Sequence, residues 1–407
     1  MVYPEMIVGG AQTYLIKKAA WLREKGISVY LMTTRGDYYE AVSRAFTKTI
    51  VIDWVNDIKK YKKYINHADK VREVLHSVES LNIAVIECYH VDLAIFFEQV
   101  AQRLGIKNIF HPPIDLIYRK EFKSYIMFKM SRQELLGLSS KSLSLIKYGY
   151  RIKNDYDRYI NVPVNKLEAV PDNHFTVPGW DSGCFKVLTV ARLDKMKAYI
   201  GFLIKDLSRL SKERQVRISL AIVGYGVLEK KFKRIARECE YEYFTVAFLG
   251  KTYSPPVELY NLCDLYVGMG TTSIEAASLR KPVILADPGS KKCSGVFGVT
   301  NNNSSVLLPY EKTASFYYEI GKALSDRKLL SHYAEKVYEL YKNEFSIDVV
   351  MYKYLKYLDV VLRNKINAYH CKFDFDLYSI VYRFARDIRD LLVQYRNNTI
   401  KAIEEFI

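Results

Sequence analysis

No stretch of the 407 residues approaches the run of about eighteen apolar side chains that a membrane-spanning helix needs. The N-terminus lacks the charged-then-apolar pattern of a secretory signal. The six cysteines, at positions 88, 184, 239, 263, 293 and 371, are scattered, with no C-x-x-C pair and no cluster of metal ligands. Such usage suits a reducing compartment and argues against disulfides or structural zinc. A cytoplasmic protein is expected. Nucleic-acid modules are missing as well: there are no RNP aromatics, no zinc-finger spacing and no G-x-x-G clamp in a suitable setting. No nucleic-acid partner is therefore expected.

Hydrophobic residues make up 49% of the chain and charged residues 26%, normal values for a globular protein. The length predicts two domains rather than one core. The net charge is +16, from 61 Lys and Arg against 45 Asp and Glu. A basic surface attracts phosphorylated substrates, anionic headgroups or nucleic acid, and charge alone does not choose among them. Two clusters mix basic and aromatic side chains. Lys59, Lys60, Lys62 and Lys63 surround Tyr61 and Tyr64, while Arg119, Lys120, Lys123, Lys129 and Arg132 accompany Tyr118, Phe122 and Tyr125. Each near-surface basic residue contributes about 1 kcal/mol against anionic lipid. The clusters predict peripheral contact with an anionic membrane surface, at the inner face of the plasma membrane.

Short β-branched runs alternate with longer stretches of helical period, the pattern of parallel sheets with crossover helices. Strands are predicted at residues 27–32, 83–87, 107–110, 186–191, 218–223, 244–249, 265–267 and 282–286. Pro171, Asp172, Asn173, Pro178 and Gly179 mark a linker, which divides the chain into domains at 1–170 and 171–361. Residues 362–407 read as a charged, tyrosine-rich helical extension. A doubly wound sheet has its first strand near the centre, and Met1 enters where that strand should be ending. A shortened first strand, and a gap beside it, are expected.

Ligands of such sheets bind at the carboxyl ends of strands, where loops lead into helix N-termini. Gly9 and Gly10 open the first helix, either as an ordinary tight turn or as a close approach for a phosphate. Arg192 and Lys197 follow a strand in a loop that is a phosphate clamp or a solvated basic turn. Gly268, Gly270, Thr271 and Thr272 form a turn into a helix bearing Glu275. There the hydroxyls and the carboxylate either cap the helix or bind a diphosphate and a ribose. His90 and His111 end two strands of the first domain, and Pro112 and Pro113 form a rigid turn that would aim His111 into a crevice.

In order and spacing, these segments resemble glycosyltransferase family 4, the large retaining nucleotide-sugar transferases. The resemblance runs from residue 2 to about 360. It takes in the Gly-Gly loop, Arg192 with Lys197, "I-V-G-Y-G" ending at Gly226, "F-L-G" ending at Gly250, the glycine loop with Glu275, "K-P-V-I" from Lys281 and "E-F-S" from Glu344. The resemblance implies a GT-B fold, α/β, with two Rossmann-like doubly wound domains facing across a cleft and C-terminal helices. It implies a nucleotide-diphosphate-sugar donor and a glycan or lipid-linked acceptor in cell-surface polysaccharide biosynthesis, with no cofactor and no metal. Arg192 and Lys197 would hold the leaving diphosphate, with Gly9 and Gly10 approaching it from the other domain. Glu275 would bind the ribose, and the loop of Gly250, Lys251 and Tyr253 would meet the base. His111 would face the transferred sugar. The family glutamate eight residues before Glu275 is Val267 here, and the glycine after the family lysine is Ala198. The first departure motivates a second reading, a catalytically degenerate GT-B subunit that binds nucleotide or a partner without turnover.

Overall fold

A computed structural model describes residues 1–6, 10–36, 39–61, 68–112, 122–167, 176–251, 257–304 and 311–364. Gly9, Tyr253, the side chains of the 59–64 basic cluster and the extension beyond residue 364 lie outside them. The chain divides into two compact units, one formed by residues 1–7, 22–160 and 355–407, the other by 8–21 and 161–354.

In the first unit the strands are β1 (Val2–Glu5), β2 (Tyr30–Thr34), β3 (Lys48–Val51), β4 (Val85–Cys88) and β5 (Lys107–Phe110). They form a parallel sheet in the order β3-β2-β1-β4-β5. β1 lies between β2 and β4 in this order. β1 pairs through Val2 with Met32 on one side and Cys88 on the other, and it is as long as β3, β4 and β5. Helix α1 (Gly10–Glu24) follows β1, and the remaining helices of this unit are α2 (Tyr39–Ser43), α3 (Val55–Tyr61), α4 (Ala68–Val78), α5 (Val91–Leu104), α6 (Lys123–Ser131) and α7 (Ser140–Tyr150). Gly105, left-handed at φ 67°, ends α5 where a side chain would be strained.

Most of α1 packs with the second unit. Trp21 donates its indole N–H to Asp348 at 2.7 Å and meets Tyr352 edge-on, while the buried Lys18 ammonium sits 3.5 Å from the centre of the Tyr354 ring. These contacts combine a charge-assisted hydrogen bond with a cation–π pair.

The second unit holds β6 (Phe185–Val190), β7 (Ile218–Val223), β8 (Phe244–Gly250), β9 (Leu265–Gly268), β10 (Val283–Ala286) and β11 (Cys293–Val296), in the order β11-β10-β9-β6-β7-β8. Five strands are parallel, and β11 turns back antiparallel on β10. Its helices are α8 (Tyr199–Arg214), α9 (Glu229–Cys239), α10 (Val257–Leu262), α11 (Thr271–Ser278), α12 (Phe316–Ser325), α13 (Arg327–Leu340) and α14 (Ile347–Arg363), which runs on into the first unit. Strand residues alternate between the sheet's two faces. Leu220, Ile222, Leu265 and Val267 pack in one core with α8, α9 and α12, whereas Ala221, Val223 and Tyr266 pack in the other with α10, α11 and α13. Among the described residues no helix is long and apolar enough to cross a membrane.

In the second basic-aromatic cluster Tyr118, Arg119 and Lys120 lie outside the described residues and Lys123 is exposed, but other members are interior. Phe122, Tyr125 and Lys129 are buried, because α6 turns that side onto the first core. The Lys129 ammonium donates to Glu134 at 2.8 Å and also to Glu98 and the Asn108 carbonyl. Arg132 closes the network, 2.8 Å from Glu134. These residues serve the interior rather than a lipid surface. Replacing Lys129 with methionine leaves two buried carboxylates short of a cation, which should cost about 3–5 kcal/mol. Urea denaturation checks this against Lys123→Met, an exposed control on the same helix expected to change stability by under about 0.5 kcal/mol.

Candidate functional site

The order of the second sheet creates a place for a ligand. From β6 the chain moves one way to β7 and β8, then returns to the other side of β6 for β9. Loops leaving β6 and β9 therefore diverge, and a crevice opens between them at the carboxyl edge. The Arg192–Lys197 loop leaves β6, and the 268–272 turn leaves β9.

The β6 loop is held by its neighbours. Leu193 is buried, its N–H donates to the Tyr225 carbonyl at 2.9 Å, and its carbonyl accepts from Leu228 at 2.8 Å. This approach requires glycine across the way. A Cβ at Gly224 would fall 1.8 Å from the Ala191 carbonyl oxygen, and one at Gly226 2.6 Å from that of Leu193. Gly250 joins the same stack by accepting from the Gly224 N–H at 2.8 Å. Lys251, next in the chain, places its ammonium 4.9 Å from the Tyr225 ring centre.

Asp194 shapes the loop and is a residue that sequence reasoning missed. Its carboxylate caps the turn Lys195–Lys197 by accepting from the Met196 N–H at 2.9 Å, and it lies 3.5 Å from the Arg192 guanidinium. The Arg192 side chain is 68% exposed, so it can reach a ligand. Lys197 is half-buried, and burial lowers its pKa from 10.5 to about 8, with Asp194 acting against that shift and Arg192 adding to it.

The opposite wall is α11. Tyr266 donates its hydroxyl to Thr272 Oγ1 at 2.6 Å, and the Thr272 hydroxyl donates onward to the Val190 carbonyl at 3.3 Å. A Cβ at Gly268 would come within 2.7 Å of the Tyr266 ring. The Thr272 hydroxyl therefore ties β6 to α11, and the lack of a side chain at Gly268 leaves room for the Tyr266 ring beside it. Gly270, at φ 75°, takes a conformation that favours glycine, and its N–H donates to the Ser304 carbonyl at 2.7 Å. The amides of Thr271 and Thr272 open the helix, where first-turn N–H groups have no intrahelical acceptor. Gly10 begins α1 close by, and a Cβ there would sit 3.7 Å from Thr271 Oγ1.

Glu275 lies one turn into α11 and accepts from the Tyr260 hydroxyl at 3.1 Å. Burial raises its pKa, while Lys17 of α1 and the Tyr260 hydrogen bond pull it down. Neither Lys17 nor Tyr260 stood out in the sequence. The only signal for Lys17 was its place seven residues after Gly10, on the same side of a helix. Position 267 is not in the crevice. Val267 is fully buried within β9, and only Met269 and Gly270 separate that strand from α11.

In the first unit, His111 is buried with Nδ1 2.8 Å from Glu87 Oε1, and Glu87 was not anticipated. His90 precedes α5, 3.3 Å from the buried Asp92. Among the described residues no group of three or more His, Cys, Asp or Glu could hold a metal ion.

Residues 172–340 match the family described as Glycosyl transferases group 1. Among solved structures, a glycosyltransferase from Rickettsia africae superposes with a TM-score of 0.69 at 15% identity, covering 89% of this chain and 98% of its own. The Anabaena protein HepE, in complex with UDP and glucose, gives 0.61 at 13% identity, covering 88% and 99%. The lipopolysaccharide outer core galactosyltransferase WaaB gives 0.60 at 15% identity, covering 88% and 98%. No curated protein matches the sequence. The chain has the GT-B fold, α/β with Rossmann-like domains. Over residues 172–340 it is similar to the glycosyl transferases group 1.

The pKa of Lys197 has a consequence for the unliganded protein. The folded state holds the charged lysine less well than the unfolded chain does, so this group adds stability as pH rises from about 8 to 10.5. Lys197→Met should exceed wild type in melting temperature at pH 7, with the difference shrinking across that window. A difference constant from pH 8 to 10.5 would show that burial does not penalise the charge.

Proposed function

We propose that the protein transfers a sugar from a nucleotide-diphosphate-sugar to a glycan or lipid-linked acceptor, with retention of anomeric configuration. The observation that carries this reading is the crevice between β6 and β9. One wall presents Arg192 and Lys197, and the other presents a helix N-terminus and Glu275. Cations facing a positive helix end form a site for a diphosphate. A carboxylate one turn along suits the vicinal hydroxyls of a ribose. The base would lie toward Gly250 and Lys251, a reading supported by the Lys251 ammonium over the Tyr225 ring.

The chemistry follows from this charge distribution. The bond between the anomeric carbon and the donor phosphate oxygen breaks, and negative charge grows on the departing nucleoside diphosphate. Arg192, Lys197 and the first amides of α11 stabilise that charge where it develops. The acceptor hydroxyl forms the new bond from the face the diphosphate leaves, and its proton passes to a donor phosphate oxygen. The fixed cations take the role a metal would otherwise fill. Assembly of cell-surface polysaccharide is the setting we propose, supported by the similarity to WaaB.

Isothermal titration with a panel of nucleoside diphosphates and their sugars tests the reading, beginning with UDP because HepE is seen with it. Each charge-assisted phosphate contact contributes roughly 1.5–3 kcal/mol. Arg192→Ala with Lys197→Ala should therefore weaken donor binding about a hundredfold or more and nearly abolish transfer. Glu275→Gln should fold normally, with an almost unchanged melting temperature and at least a tenfold slower transfer, about 1.4 kcal/mol. A wild-type protein that binds no nucleotide or nucleotide-sugar would sink the proposal.

A further inference from the structure

Helix α10 takes no part in the proposed chemistry, yet it reaches the carboxylate of Glu275. The Tyr260 hydroxyl donates to Glu275 Oε2 at 3.1 Å. Among the described residues no other side chain is hydrogen-bonded to that carboxylate, and Glu275 is half-buried. One of its oxygens is thus held by the protein, and the other is left for a ligand. A glutamate side chain turns on three bonds, so one fixed donor narrows where the second oxygen can sit.

That donor is itself fixed. Tyr260 is fully buried, and its ring stacks on that of Tyr266 with centroids 5.8 Å apart and planes at 28°. Tyr266 is tied in turn to Thr272 at the start of α11. The end of α10 is held by Lys281 of the K-P-V-I segment. Its ammonium donates to the carbonyl of Asn261, in the last turn, at 2.7 Å and to that of Cys263, just beyond it, at 3.0 Å. A phenylalanine would fill the same space and stack in the same way. The hydroxyl adds a polar atom to a buried site, and its hydrogen bond to Glu275 is what offsets the cost of burying it.

We propose that Tyr260 is a positioning residue of the donor site, whose hydroxyl holds one carboxylate oxygen of Glu275 so that the other meets the ribose hydroxyls of the donor. This role rests on the reading of the β6–β9 crevice as a nucleotide-sugar site. It makes α10 a working support of that site, locked by packing at Tyr266 and by the Lys281 cap.

Isothermal titration of the full chain tests the role, with UDP, ADP and GDP and the 2′,3′-dideoxy counterpart of whichever binds. Wild type should prefer the ribonucleotide about tenfold or more, because the dideoxy ligand has no hydroxyls for Glu275 to meet. Tyr260→Phe should melt close to wild type. It should weaken ribonucleotide binding about fivefold and dideoxynucleotide binding less than about twofold. In Glu275→Ala, where no carboxylate remains to orient, the same change should alter ribonucleotide binding less than about twofold. A packing role would weaken both ligands alike and persist in Glu275→Ala, and either result overturns the assignment. So does a Tyr260→Phe protein that keeps the wild-type preference. Were Tyr260→Phe unable to fold, Lys281→Met decides in its place. It leaves Tyr260 and Glu275 intact, loosens the end of α10, and should lower the preference about twofold; an unchanged preference overturns the assignment. Wild type that binds the nucleotides without preferring ribose removes the roles of Tyr260 and Glu275 and leaves the diphosphate site standing. Wild type that binds none of the three, nor any nucleotide-sugar, ends the donor-site reading and this role with it.

Discussion

The second sheet reverses its winding direction at β6, and the chemistry proposed for the protein depends on that reversal. Because β7 and β9 flank β6 on opposite sides, the loops after β6 and β9 cannot pack on each other along their length. The two walls of the crevice are nonetheless tied at their base. The Val190 carbonyl at the end of β6 receives the Thr272 hydroxyl from α11, and Tyr266 secures that hydroxyl from β9. These bonds tie the end of β6 to the start of α11. Gly224 and Gly226 brace the cationic side by letting the β7 loop press against Ala191 and Leu193.

The two units treat their enclosed charges differently. Lys129, Glu98, Glu134 and Arg132 in the first unit satisfy one another by hydrogen bonds, as a structural network must. In the second unit Lys197 and Glu275 are each pushed by burial toward their neutral forms, and the neighbours Asp194 and Lys17 correct that only in part. Charges held against their own preference, at the carboxyl edge of a sheet, are what the proposed donor site would use. A diphosphate would restore to Lys197 what burial removes.

Much of the fold was legible in the residues. The runs at 107–110 and 218–223 coincide with β5 and β7, and the remaining predicted strands fall within a few residues of those observed. β7 is buried throughout, and an unbroken apolar run of that kind belongs to a parallel sheet covered on both faces. β1 is central because its two neighbours pair with it, which no local pattern in Val2–Glu5 announces. β3 and β11 were missed as well. β11 is an antiparallel return whose Cys-Ser-Gly-Val carries little strand signal of its own.

The sequence by itself determined where the strands end and which chemistry-bearing residues follow them. Apolar runs, glycines and the positions of Arg192, Lys197 and Glu275 are local properties, readable within a few residues of chain. Only the tertiary structure decided which of those residues have their polar groups left for a ligand. It tied the Thr272 hydroxyl to Tyr266 and Val190 and the Gly270 amide to Ser304. It also let Lys17 and Glu275 act on each other electrostatically across 258 positions of chain. Hydrogen bonds and through-space charge depend on distance in space, and no local pattern encodes the distance between segments so far apart.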